Sequence, residues 1–191
     1  MPPSLSREFY QRDPRVVAPD LLNKVLVRGA RRARIVEVEA YCGSDDAGSH
    51  AFRGPTTRNA TMFGPAGHLY VYFTYGMHWC ANAVMGDGLA VLLRAAAPIA
   101  GLDLMYAARL KARRERDLLS GPAKLCQGFD ITTEHDGADL VTGRGGGIRI
   151  VDDGVAPPPD PANGVRIGLA PGKGEEQPWR WWVPGDPNVS R

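Results

Sequence analysis

The sequence predicts an α+β fold built on a mainly antiparallel sheet, and three features carry that expectation. Residues 34–41, Arg-Ile-Val-Glu-Val-Glu-Ala-Tyr, alternate apolar and polar side chains with the period of a half-buried strand. Gly86-Asp87-Gly88, set between two apolar runs, has the composition of a tight hairpin turn. The other apolar runs of strand length are joined mostly by short turns, with only a few helical stretches between them.

In chain order, a short helix is expected within Val16–Leu22, with Pro19 in its first turn, where a missing N–H costs nothing. Strands follow near Lys24–Arg28 and Ala33–Tyr41. A long loop then runs from Gly43 to about Gly67, a length that usually signals function. Leu69–Thr74 and His78–Val84 read as strands joined around Tyr75-Gly76, and Leu89–Ala95 as the strand after the hairpin turn. From Gly101 to about Leu119 apolar residues recur every three or four positions, which predicts a helix. Ser120 as N-cap and Pro122 in the first turn open another. Gly143–Gly147 lacks the GK[ST] and the helix of a phosphate loop and reads as a hairpin turn. Pro157–Pro161 is an exposed connection, and Val165–Leu169 and Trp181–Val183 are closing strands.

A chain of 191 residues, 43% hydrophobic and without a Ser/Gly linker, suits one domain spanning 1–191. Its 23 Lys+Arg against 21 Asp+Glu select no partner by total charge. The distribution is uneven. Basic residues crowd positions 1–34 and 109–116, and acids gather between Glu134 and Asp160. That asymmetry fits a polyanion on one face, and the second run fits a solvated basic helix equally well. Cys42, Cys80 and Cys126 are far apart, which argues against a disulfide framework or a four-cysteine metal site and suits a reducing cytoplasm. Cys80 and Cys126 read as core residues. The N-terminus has no apolar signal core and no stretch reaches membrane-spanning length, so a soluble protein is expected.

Side chains two apart on a strand share a face, so Glu37, Glu39 and Tyr41 should project together, with His50 in the loop beyond. A carboxylate, an aromatic ring and an imidazole at one strand end could stack a flat ligand and activate a water. The same residues also fit an edge strand with solvated acids. Tyr70 and Tyr72 share a second face. Tyr75 and Met77 flank Gly76 at a turn, where an exposed ring could stack on a base or wedge into a duplex. Aromatic packing across a sheet is the plainer explanation. Asn82 and Arg94 interrupt apolar strands, and a buried arginine there needs a carboxylate such as Glu37 or Glu39. Asp45, Asp46 and His50 offer metal-ligand chemistry, but at no recognisable spacing.

Taken together, RIVEVEAY, the His50 loop, Arg58-Asn59, Met62-Phe63, GHLYVY at 67–72, Tyr75-Gly76-Met77, Asn82, Gly86-Asp87-Gly88, LLRA at 92–95 and SGPAKLC at 120–126 resemble the alkyladenine (3-methyladenine) DNA glycosylases, from near the N-terminus to Val189-Ser190. The resemblance implies a single α+β domain with a curved antiparallel sheet, like the C-terminal domain of the formyltransferases, and no helix-hairpin-helix. It implies a monofunctional base-excision-repair enzyme that flips alkylated or deaminated purines from duplex DNA and hydrolyses the N-glycosidic bond. By position, Glu39 resembles the base that activates water, Arg94 its partner, and the Ile167 carbonyl a third water contact. Tyr41, His50 and Tyr72 resemble the walls around the base, with Gly48 and the His50 backbone at its edge. Asn82 resembles the residue that excludes the 2-amino group of guanine, and Tyr75, with Met77 beside it, the wedge that fills the vacated stack. It further implies double-stranded DNA bearing damaged purines as partner, no metal or other cofactor, a monomer, and a cytoplasmic setting, nucleoid-associated in a bacterium. Lys124 fits no Schiff-base position, so water is the expected nucleophile. Trp181-Trp182 and Asp186-Pro187-Asn188 depart from the family pattern at the pocket rim. Two rivals are a non-catalytic nucleic-acid-binding module, which would not need Glu39 with Arg94, and a nucleoside hydrolase, which would not need Tyr75.

Overall fold

The computed structural model describes residues 2–74 and 76–190. Its elements run α1 (Arg7–Tyr10), α2 (Pro14–Leu21), β1 (Val25–Arg28), β2 (Arg31–Cys42), β3 (Leu69–Thr74), β4 (His78–Gly86), β5 (Leu89–Ala100), α3 (Leu102–Ala108), α4 (Pro122–Phe129), β6 (Ile148–Val151), β7 (Ala162–Gly164) and β8 (Arg180–Trp182). The strands form one curled sheet in the order β3-β4-β5-β2-β1-β6, with β8 joining β2 and β7. Each of these pairings is antiparallel, as the sequence predicts. The 43–67 loop contains two 3₁₀ turns, Gly43–Asp45 and Thr57–Phe63, the second opened by a Thr56–Asn59 capping box.

Strand β2 is the hub. One edge lies along β5; the other is shared by β1, opposite Arg31–Arg34, and β8, opposite Glu37–Glu39. Its register with β5 slips three times, once between Arg32 and Ala33 and then twice in quick succession between Ile35 and Val38. Ile35 faces Ala96, Glu37 faces Ala95 and Val38 faces Leu93, so neither Val36 nor Arg94 has an opposite number. Such irregularities re-aim side chains beside functional sites. Here they switch the parity of both strands. Ala33 and Ile35 join Val38 and Ala40 in the core, just as Val91 and Leu93 join Ala96. Glu37, Glu39 and Tyr41 take the opposite face together. The expectation of a half-buried strand is corrected by this: every residue from Ile35 to Ala40 is buried, because the second face is covered as well.

Other departures have local causes. Pro14, not Pro19, occupies the first turn of α2; Pro19 sits near its end. The helix expected up to Leu119 stops at Ala108. Arg109 leaves helical geometry and turns its guanidinium onto the carbonyls of Asp117 and Leu118, so the basic run wraps around it as a loop with Leu110 outside. The N-cap of α4 is Gly121 at φ 140°, a glycine region, and not Ser120. No strand forms at Val165–Leu169; the closing strand precedes it at β7, and the backbone beyond serves the site described below.

The charge asymmetry resolves inside the molecule. Arg7 pairs with Asp139, Lys24 with Asp152, Arg28 with Asp130 and Arg34 with Asp153. Four of the eight basic residues of the N-terminal segment are thus matched by residues 130–153, and Arg12 and Arg15 pair locally with Asp20 and Asp13, so much of the basic charge there is used inside the molecule. Lys111, Arg113 and Arg116 form no ion pair among the described residues.

Candidate active site

Two carboxylates, Glu37 and Glu39, lie side by side on β2 with no exposed surface. Burying an ionised group demands compensation, and β5 provides it. Arg94 Nε donates to Glu37 Oε1 at 2.8 Å, and Nη1 lies 3.0 Å from Glu39 Oε1. Glu39 Oε1 also accepts the Ile167 N–H at 2.7 Å, and Oε2 accepts the Tyr41 hydroxyl at 3.0 Å. Glu37 is tied further by Arg180 Nε at 2.7 Å and by both the N–H and the hydroxyl of Ser190, at 2.7 and 2.8 Å.

The two acids diverge in character. Burial pushes Glu39 above the usual carboxylate range, and Arg94, the Ile167 N–H and Tyr41 offset this only in part. Burial acts on Glu37 in the same sense, but Arg94, Ser190 and Arg180 overcome it and hold Glu37 below its ordinary value. Adjacent carboxylates with opposed shifts are a functional-site signature.

Beside this cage opens a cavity of about 340 Å³, within the size range of small-molecule sites. Tyr41, His50, Tyr72, Asn82, Arg94 and Ile167 line it, with Gly48, Met62, Tyr70, Cys80 and Leu169. Glu39 lies immediately behind this wall, touching Tyr41, Arg94 and Ile167. The rings are mutually braced. His50 meets Tyr72 edge-on at 4.5 Å between centroids, its Nδ1 is 3.1 Å from the Tyr70 hydroxyl, and Tyr70 stacks near Tyr72 at 5.6 Å. Burial, reinforced by Arg58, lowers the His50 pKa and keeps the imidazole neutral at neutral pH. Tyr70 is pushed up to about 12 by burial. Asn82 Nδ2 donates to the Tyr70 carbonyl at 3.2 Å, which pins the amide in the cavity wall.

The structure brings Glu39, Arg94, Ile167, Tyr41, Gly48, His50, Tyr72 and Asn82 together at one place. Three details refine their expected roles. Ile167 presents its N–H to Glu39. The Gly48 N–H is turned to Asp46 Oδ1 at 3.0 Å, and the His50 carbonyl accepts the Asn59 side chain at 2.8 Å. A side chain at position 48 would strike the Lys173 carbonyl and Leu169, so glycine lets the 167–173 segment close over the cavity. Met77 is two-thirds exposed, as a surface contact requires; Tyr75 lies outside the described residues.

Sequence reasoning missed the supporting partners. Asp46, read there with metal ligation in mind, instead grips Arg166 through both oxygens at 2.6 and 2.8 Å, with both side chains fully buried. Arg166 also donates to the Ala40 carbonyl and lies over the rings of Tyr41 and Trp179 at 4.7 and 5.0 Å. Its neighbour Ile167 is thereby fixed against Glu39. Among the described residues no group of three or more His, Cys, Asp or Glu side chains could hold a metal ion, and no helix is long and apolar enough to cross a membrane.

The profile of the family Methylpurine-DNA glycosylase (MPG) matches residues 8–187. Similar proteins carry the provisional name 3-methyladenine DNA glycosylase. One from Burkholderia cenocepacia (strain HI2424) is 55% identical over 188 residues, covering 96% of this chain and 89% of its own. One from Streptomyces avermitilis is 47% identical over 193 residues, covering 97% and 90%. One from Carboxydothermus hydrogenoformans is 45% identical over 195 residues, covering 98% of each. With a cage of buried carboxylates behind an aromatic cavity, and a match that spans nearly the whole chain, the protein belongs to the methylpurine-DNA glycosylase family of DNA N-glycosylases.

Proposed function

We propose that this chain acts as a single-domain, monomeric, monofunctional glycosylase on duplex DNA containing damaged purines: 3-methyladenine, 7-methylguanine, hypoxanthine and ethenoadenine. The observation that carries this reading is the buried Glu39 carboxylate, raised in pKa, set directly behind a cavity walled by Tyr41, His50 and Tyr72. Tyr75, with Met77 beside it, fills the space that the flipped nucleotide leaves, and the rings take the base. Electron-poor alkylated purines stack on such rings more strongly than neutral ones.

Glu39 accepts a proton from water as the water oxygen bonds to the sugar C1′ and the C1′–N bond breaks, its electron pair leaving with the base. The raised pKa makes it a better proton acceptor than an ordinary carboxylate, and the ionised form balances positive charge on the sugar. Arg94 and Ile167 orient the carboxylate and bound the water. Lys124 lies against Ser120 at 3.3 Å, and among the described residues no lysine lines the cavity, which favours water over an amine nucleophile. A cytoplasmic setting, nucleoid-associated in a bacterium, goes with that substrate.

The direct test is excision from duplexes carrying each lesion, read as strand breaks at abasic sites after alkali. Breaks only after alkali, with no borohydride-trapped adduct, are expected; a trapped adduct would mean an amine nucleophile and a lyase. Selectivity is tested at Asn82. Asn82→Ser should raise excision of guanine-type bases relative to hypoxanthine by about 10-fold, because the amide fixed on the Tyr70 carbonyl no longer occupies the 2-amino position. An unchanged ratio in a folded variant would make Asn82 structural.

A further inference from the structure

We propose that Glu37 is a positioning residue of the hydrolytic site, and that Ser190 near the C-terminal end of the chain completes its grip. The inference rests on the reading of Glu39 as the base. Of the described residues lining the cavity, Glu37 hydrogen-bonds Arg94, and it acts through that residue. Three donors converge on its Oε1: Arg94 Nε, Arg180 Nε and the Ser190 hydroxyl. Its Oε2 takes the Ser190 N–H. Ser190 closes the figure, because its Oγ also accepts from Arg94 Nη2 at 3.1 Å. The guanidinium is therefore held on two sides, by carboxylate and by hydroxyl. Held in this way, Arg94 lays Nη1 3.0 Å from Glu39 Oε1.

A bystander pair would need no such construction. One carboxylate would neutralise Arg94, and Glu39 alone could do that. The second buried acid, itself balanced by Arg180, divides the charge of Arg94 between two partners, and Glu39 stays a competent proton acceptor. Charged and titratable groups acting on Glu39 are Glu37 and Tyr41 from β2 and Arg94 from β5. More distant are Arg166 beyond β7, Tyr72 on β3 and Cys80 on β4. Of these Glu37 is the like-charged carboxylate beside it, and its charge raises the Glu39 pKa.

The experiment is single-turnover excision of hypoxanthine from a duplex, measured against pH, for Glu37→Gln, Ser190→Ala and Glu39→Gln. Glu37→Gln should lower the plateau rate on the order of 10²-fold, as loss of alignment does. It should also move the acidic limb of the profile to lower pH, because Glu39 loses its like-charged neighbour and gains all of Arg94. A purely structural role would lower the rate and leave the limb in place, and that result overturns the proposal. If Glu37→Gln fails to fold, Ser190→Ala decides: about 10-fold slower excision with lesion binding unchanged is expected, and a wild-type rate overturns it. Glu39→Gln separates the two readings. Should it keep the wild-type rate and limb, the base has been misassigned; should it lose them while the other variants match wild type, only the role of Glu37 fails.

Discussion

Glu39→Gln should reduce base excision by at least about 10²-fold, and up to the 10⁴-fold that a positioned base can contribute, while lesion binding stays within a few-fold of wild type. The amide keeps the shape, and its one oxygen can still accept the Ile167 N–H while its NH2 turns to the Tyr41 hydroxyl oxygen, but it cannot take a proton from water. The pH profile gives the assignment an independent handle. A base works only when ionised, so activity must fall as pH drops through its pKa. Burial raises that pKa, so the acidic limb should lie above the ~4.3 of an ordinary glutamate, and it should vanish from whatever activity the Gln variant retains. Single-turnover rates near wild type, or an unchanged limb, would remove Glu39 from the role.

The largest effect on stability is expected at Asp46. Its carboxylate takes two bonds from Arg166 and accepts the N–H groups of Cys42 and Gly48, with no solvent on either side chain of the pair. Asp46→Ala leaves a buried guanidinium uncompensated, which costs roughly 3–5 kcal/mol. Urea denaturation should show the unfolding free energy falling by that amount, with the slope unchanged and the midpoint shifted down by the loss divided by that slope. Adding Arg166→Met should recover part of the loss, since the uncompensated charge is then gone. A cost under about 1 kcal/mol for Asp46→Ala would mean that Arg166 finds water or another partner. Excision should weaken too, because Arg166 braces Tyr41 and the segment that brings the Ile167 N–H to Glu39.

The sequence shows the sheet because hairpin turns and strand periodicity are local. Gly86-Asp87-Gly88 adopts left-handed geometry at all three residues, the conformation its composition demands. Residues of the cavity wall were legible through resemblance and through the oddity of Asn82 and Arg94 within apolar strands. What the sequence conceals is long-range compensation. Nothing near Asp46 points to Arg166, 120 positions away, and nothing in a buried glutamate announces Ser190, 153 positions away. The paired register slips at Val36 and Arg94 are equally silent, since each is defined only by the strand opposite. The end of α3 was misread because apolar spacing continues past Ala108, whereas the backbone is diverted by Arg109 reaching carbonyls that sequence order does not bring near.

The ion contacts that complete the carboxylate cage join parts of the chain that meet late. Closing a loop of more than a hundred residues is entropically slower than zipping hairpins such as β3-β4 or β4-β5. The β3-β4-β5-β2-β1 part of the sheet can therefore be assembled, and the aromatic wall in place, while the segment carrying Ile167, β8 and Ser190 is still undocked. In that interval Arg94 has its two acids, but Glu39 lacks the amide that orients it and Glu37 lacks three of its four donors. On refolding, native circular dichroism should return before the ability to release a base.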